Sequence, residues 1–255
     1  MRIVVCVKPI KTVLVYHNES EGDPFVMNPY DLFALELVLA LKKLCGCEVV
    51  CLSMGASAAK CVLAKALAMG ADSAILLNDA AFTGSDTISA TYALSKAIET
   101  IGGVDIIVCG KESADRGTGQ TAYGLSKRLG LQCIPGAAQF TIIDGNYVIA
   151  EYKAGNTTNT LRIRTPFVAS CSDFQLSRPI ISLKSLKAAK NKEIVIWKPQ
   201  NIGAEISKCG FVGAKTKVLS SESSLNRKDS MCIEGTATEK AAVILDILMI
   251  RRRIV

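Results

Sequence analysis

The feature that most constrains this chain is an alternation. Through the first 135 residues, strand-length apolar runs and helix-period segments follow one another with short links. "RIVVCVK" (2–8) is a continuous apolar run, the pattern of a parallel strand covered on both faces. "NPYDLFALELVLALKKL" (28–44) opens on Asn28 as a helix cap with Pro29 at the first helical position, and Leu32, Phe33, Leu35, Leu39 and Leu41 then give it an apolar face. The buried strand "CEVVCLSMG" (47–55), the helix "SAAKCVLAKALAMG" (57–70) and the strand "SAILLND" (73–79) follow. Next come a helix capped at Ser85 or Asp86 and stopped at Gly102, the strand "DIIVCG" (105–110), and a helix ending near Gly130. Repeated β-α-β units of this kind specify an α/β fold: a doubly wound, mostly parallel sheet with right-handed crossovers.

Beyond residue 135 the pattern changes. "FTII" and "YVIAEY" flank "DGN", a hairpin signal, and "TLRIRTPFVAS" reads as a further antiparallel strand. From Ser177 onward Pro, Lys and Ser rise and the core pattern thins, so the expected organisation is an α/β domain over 1–176 and an extended arm over 177–255. The arm closes on the helix "TEKAAVILDILMI" (238–250), read as amphipathic, and its small private core points to a resting place on another chain.

At 255 residues, 49% hydrophobic and 21% charged, the chain has material for a sizeable core without staples. No apolar run approaches the roughly 18 residues of a membrane span, and "MRIVVCVKPI" reads as a strand, not a signal peptide. Ten cysteines invite a metal or disulfide reading. Their C-x-C and C-x3-C spacings lack a second pair at zinc-ligand distance, and Cys6, Cys51, Cys61, Cys109 and Cys171 sit inside apolar patterns, so buried thiols in a reducing cytoplasm, that of an anaerobic bacterium, are expected and no metal site. The one histidine, His17, lies in a polar stretch that suits neither a triad nor a metal centre. Net charge is +7, with basic residues gathered in "LKSLKAAKNK" (183–192) and "IRRR" (250–253). No aromatic residue interleaves with them and no DNA-binding motif appears, which favours a solvated or protein-docking face over nucleic acid.

Open α/β sheets bind ligands beyond the carboxyl ends of their strands. Of the loops so placed, "CGKESADRGTGQTAYGLSKRLG" (109–130) is the most unusual, with Gly110, Gly117 and Gly119 among Ser, Thr and Gln just before a helix. Glycines permit close backbone approach, and unsatisfied N–H groups at a helix start attract anions. It carries neither G-x-G-x-x-G nor G-x4-G-K-[ST], and no magnesium ligand set for phosphoryl transfer. A phosphate or nucleotide loop and a ligand-free glycine-rich helix cap both remain open at this level.

Over essentially its full length the chain resembles the small (beta) subunit of electron transfer flavoproteins. The resemblance rests on "VCVKP", "MNPYDLFALE", "ALAMGADSAILL" (66–77), the 109–130 loop and "RPIISLKSLKAAKNKEIVIW" (178–197), in that order. It implies an adenine nucleotide, either AMP as a structural ligand or a second FAD. Cys6 and Lys8 match positions beside the adenine; Asn28, Pro29, Tyr30 and Asp31 match the segment against adenine and ribose; Met54 matches another lining position. Gly110, Lys111, Glu112, Ser113, Asp115, Gly117, Thr118, Gly119, Gln120 and Thr121 match the ribose and phosphate loop, its last four residues nearest the phosphate. It further implies an alpha-subunit partner carrying the electron-transferring FAD. Docking to an acyl-CoA-type or other flavin dehydrogenase falls to Leu183, ringed by Lys184, Lys187 and Lys190. No side chain is expected to be catalytic.

Three departures qualify this. Where bifurcating members show Asp-Gly-Asp-Thr-Ala-Gln, the chain has Asp115, Arg116, Gly117, Thr118, Gly119 and Gln120, and the small Gly119 favours FAD over AMP. Lys187 stands where an apolar residue is commoner, and segment 10–27 is shorter than in the family. The alternatives are an AMP-binding structural subunit of a non-bifurcating member, and a stand-alone nucleotide sensor of similar fold.

Overall fold

The structure, a computed structural model, describes residues 1–11, 25–144, 146–171, 181–217, 219–220 and 232–252. His17, Arg253, the opening of the 178–197 segment and most of the shortened 10–27 stretch lie outside the described residues.

Strand β1 (Arg2–Cys6) is followed by the short β2 (Pro9–Lys11) and β3 (Phe25–Met27), which pair antiparallel with each other. Helix α1 (Pro29–Cys45), β4 (Glu48–Met54), α2 (Lys60–Met69), β5 (Ser73–Leu77), α3 (Thr87–Ile101), β6 (Ile106–Cys109) and α4 (Thr121–Leu129) complete the alternating half. β7 (Gln132–Asp144), β8 (Tyr147–Ala154), β9 (Thr157–Arg164) and β10 (Phe167–Cys171) come next, then α5 (Leu183–Lys190), β11 (Ile194–Trp197), the one-turn α6 (Gly210–Gly213) and α7 (Ala237–Arg252).

Nine strands form one sheet in the order β11-β5-β4-β1-β6-β10-β7-β8-β9, parallel from β11 to β7 and antiparallel from β7 to β9. The α/β, doubly wound class read from the sequence is the class observed. Each face has its own core. Ile3, Val5, Val49, Cys51 and Val108 pack with α1 and α2, while Val4, Cys6, Leu52, Ile107 and Cys109 pack with α3 and α4. The two-sided burial explains why these strands read as unbroken apolar runs.

Two segments differ in detail from their sequence reading. "TLRIRTPFVAS" is not one antiparallel strand: β9 pairs antiparallel with β8, but after Pro166 the chain enters β10, which lies between β6 and β7 and runs parallel to both. The five buried residues of β10 suit this central place, whereas β9 is mostly exposed at an edge. The second concerns the arm. β11 pairs parallel with β5 and extends the sheet, so the compact unit runs from Met1 to Lys217, and Val218–Val255 forms a second unit.

Within that second unit, α7 is opened by reciprocal capping: the Thr236 amide and hydroxyl donate to the Glu239 carboxylate (2.8 Å each), and the Glu239 amide donates to the Thr236 hydroxyl. Its apolar residues do not form the expected one-faced stripe. From Ala241 to Met249 they run round the whole circumference, interrupted only by Asp246, and Val243, Leu245, Leu248 and Met249 are exposed.

Candidate functional site

β1 leads through α1 to β4 on one side, and the chain returns through α3 to β6 on the other. The strand order therefore reverses at β1 and β6, where a doubly wound sheet opens its crevice. A cavity of about 220 Å³ lies there, lined by the ends of β1, β4 and β6, the starts of α1, α3 and α4, and loop 110–121.

Of the seventeen nucleotide-site positions read from the sequence, thirteen line this one cavity: Cys6, Lys8, Asn28, Asp31, Met54, Gly110, Lys111, Glu112, Ser113, Asp115, Thr118, Gly119 and Thr121. Pro29, Tyr30, Gly117 and Gln120 belong to the same segments but are not on its wall. Its apolar lining includes Cys6, Leu52, Met54 and Leu94, and its polar lining includes Thr118, Thr121 and Arg116 beside the acidic Asp31, Asp86, Glu112 and Asp115.

Asp31 organises the floor. Sitting in the first turn of α1, it accepts the Lys8 amide (2.7 Å) and the Gly110 amide (3.2 Å), tying the ends of β1 and β6 together. Burial pushes its pKa up to about 7, outweighing those N–H bonds and the contact with Asn28. The fit leaves no space at Gly110, where any Cβ would collide with Asp31 and with the Tyr30–Asp31 backbone.

Asn28 and Lys8 hold the loop. Asn28 Nδ2 donates to the Glu112 carbonyl (2.7 Å), and its Oδ1 accepts the Ala114 amide (3.1 Å). Lys8 Nζ pairs with Asp115 at 2.6 Å and donates to the Ser113 hydroxyl at 3.2 Å. Partial burial raises the Asp115 carboxyl, but the bonds from Lys8 and Ser113 prevail and hold it below the usual carboxylate range. A turn then closes on the Ser113 carbonyl, which accepts the Arg116 and Gly117 amides (3.2 and 2.7 Å). Gly119 has φ +61°, and a Cβ there would lie 3.3 Å from the Lys111 carbonyl, so backbone geometry itself calls for glycine at this position. Gln120 precedes α4 without a side-chain cap, so the helix presents its first N–H groups beside Thr121.

The start of α3, at Ser85, Asp86, Thr87 and Ala90, was not assigned to the site from sequence, although Asp86 was a cap candidate. The signal was available: α3 leaves the carboxyl end of β5, so its N-terminus belongs on the same rim. Asp86 caps α3 through the Ser89 amide (2.9 Å) and also accepts the Lys215 and Thr216 amides (2.7 and 3.1 Å). Burial works against its charge, yet these donors win and hold the carboxyl well below its ordinary range.

The thiols are unpaired with one another as disulfides, and Cys6, Cys51, Cys109 and Cys171 are buried while Cys61 is half-buried. The Cys6 contact and burial push the Cys109 thiol well above its ordinary value, and burial pushes Cys51 up to about 12, which makes both poor nucleophiles. Among the described residues no cluster of His, Cys, Asp and Glu is arranged to hold a metal, and no helix is long and apolar enough to cross a membrane.

Away from the cavity, Leu183 is 78% exposed at the start of α5, and Lys184, Lys187 and Lys190 are exposed along it. Ser182 caps this helix, and Ala189 is its buried contact.

Fold and cavity together define a doubly wound α/β protein whose crevice is lined by both apolar and polar residues. The chain belongs to the electron transfer flavoprotein family: residues 15–201 match the electron transfer flavoprotein domain. It is similar to Protein FixA of Azorhizobium caulinodans, with 39% identity over 234 residues, 86% of this chain and 83% of the relative. It is similar to the electron transfer flavoprotein subunit beta of Clostridium acetobutylicum (29% over 257 residues, 96% of each chain). Similarity extends to the caffeyl-CoA reductase-Etf complex subunit CarD of Acetobacterium woodii (29% over 251 residues, 95% of each). The chain is an electron transfer flavoprotein subunit of the beta type.

Proposed function

We propose that this chain is the nucleotide-binding half of a heterodimeric electron carrier of the cytoplasm. It holds an adenine nucleotide in the β1/β6 crevice, FAD in preference to AMP, and joins an alpha subunit that bears a further FAD. The observation that carries this reading is convergence: thirteen positions scattered from Cys6 to Thr121 meet around one cavity. Their chemistry fits the group. Cys6, Leu52, Met54 and Leu94 offer an apolar slot for a flat ring, and Thr118, Thr121 and the uncapped start of α4 offer donors for phosphate. A bound flavin supplies the redox chemistry, so the protein's part is to position it and exclude water. Asp31, Asn28 and Lys8 do the positioning, by fixing the strand ends and the loop before a ligand arrives.

Leu183 supplies an apolar anchor, and its exposed lysine neighbours steer an acidic partner, which suits a transient dehydrogenase contact. The arm beyond residue 217 rests on the alpha subunit, because the apolar circumference of α7 has little to pack against in its own unit. Electron bifurcation is the further consequence of a second FAD. Extraction of the purified heterodimer tests the assignment. Two FAD and no AMP are expected per heterodimer; one of each overturns the FAD preference, and neither nucleotide in this chain overturns the site.

A further inference from the structure

Arg116 is a cation with an unusual setting. It sits on the turn closed by the Ser113 carbonyl, and that turn is fixed from below by Asn28 and Lys8, so its Cα is placed before any ligand binds. Its Nη1 meets the carbonyl of Ser85, two residues before α3 and also a lining residue of the cavity, at 3.4 Å. This is a long, weak bond, and most of the guanidinium's five donors remain uncommitted.

Lys111 and Glu112 line the same cavity, and other charged groups of its lining are already engaged. Lys8 is paired with Asp115, and the Asp86 carboxylate is filled by amides of Ser89, Lys215 and Thr216. Among the described residues Arg116 has no carboxylate partner. Thr118, Thr121 and the first N–H groups of α4 offer donors for one phosphate, and Arg116, lining the same cavity, offers further donors for a second.

We propose that Arg116 is a specificity-determining residue that recognises the second phosphate of a nucleoside diphosphate moiety, and so makes the crevice select a diphosphate over a monophosphate. The inference rests on the adenine-nucleotide reading of the cavity. A planar fork facing two phosphate oxygens forms paired charge-assisted bonds, and a weak carbonyl contact is easily exchanged for them. Exposure of Arg116 also means that its replacement leaves the fold intact.

The test uses the full-length heterodimer freed of nucleotide, titrated calorimetrically with ADP and separately with AMP. Wild type is expected to prefer ADP by about tenfold or more. Arg116→Ala is expected to weaken ADP by about tenfold while changing AMP by less than about threefold, and Arg116→Lys to restore only part of the preference. Equal losses for both nucleotides, or none for either, overturn the proposal. So does weaker subunit association at an unchanged ADP/AMP ratio, which would assign Arg116 to a carboxylate on the partner. If wild type binds neither nucleotide, the adenine-nucleotide reading itself falls, and the proposal with it.

Discussion

Asp31 offers a sharp test of how the crevice floor is built. Its carboxyl is buried and its pKa is pushed up to about 7 from an ordinary 3.8. Between those values the unfolded chain has released this proton while the folded chain still holds it. Folding stability therefore falls as pH rises through the window from about 4 to 7 and is flat for this group above it. A shift of roughly three units corresponds to about 4 kcal/mol, and relaxation or water entry reduces that to about 2–4 kcal/mol. Asp31→Asn removes the titration. The amide has one oxygen where the carboxylate has two, so the Lys8 or Gly110 amide loses its acceptor, at about 1–3 kcal/mol. Urea unfolding of the full-length chain should show the variant less stable at pH 4.5. The deficit should then shrink by about 2–3 kcal/mol by pH 8. Carbon-13 titration of the Asp31 carboxyl should show its midpoint near 7 in wild type. A deficit that stays constant with pH, or a carboxyl ionised at pH 5, would refute the argument that burial outweighs the two N–H bonds.

Asp86→Ala leaves the amides of Ser89, Lys215 and Thr216 without their acceptor and should cost about 3 kcal/mol or more. Because the Asp86 carboxyl is held low, wild type should lose this stabilisation as pH falls below about 4, and the acid limb of the variant should be shallower. Gly119→Ala should destabilise by about 1–2 kcal/mol and Gly119→Asn by less, since asparagine tolerates the left-handed region better; equal, negligible costs in chemical denaturation would mean the backbone there is unconstrained. Leu183→Ala should change stability by no more than about 0.5 kcal/mol, given its exposure, while slowing electron exchange with a dehydrogenase in stopped-flow assays. Loss of flavin in that variant would count against a docking role.

Much of the site was legible because its residues obey local rules. Pro29 begins a helix where expected, with Asn28 just before it, although the Asn28 side chain holds the loop at Glu112 and Ala114 and does not cap the helix. Apolar runs end at Lys8, Met54 and Gly110, and glycines gather where the loop must turn. The parts that were not legible depend on distant partners. Asp86 is recognisable as a cap, but nothing near it in sequence shows that Lys215 and Thr216 return to the same carboxylate. β11 is partly exposed and lies in the arm, and nothing near it in sequence shows that it joins the main sheet beside β5. Gly119 was read for the room it leaves a ligand, whereas its φ and the nearby Lys111 carbonyl already account for it. The charged ends and apolar middle of α7 give its sequence the look of an amphipathic helix, although the apolar residues surround its axis.

The place of β11 has a consequence for synthesis. β5 is the outermost strand of the early half, and its outer neighbour arrives only when Trp197 has been made, 120 residues after Leu77. At ordinary ribosomal speed that interval lasts about 6–24 s. Throughout it, "SAILL" presents an unpaired strand edge beside an already apolar core, the kind of surface that captures other chains or a chaperone. Slow codons or a stall within that stretch should therefore raise aggregation of the nascent subunit more than the same delay placed after Trp197.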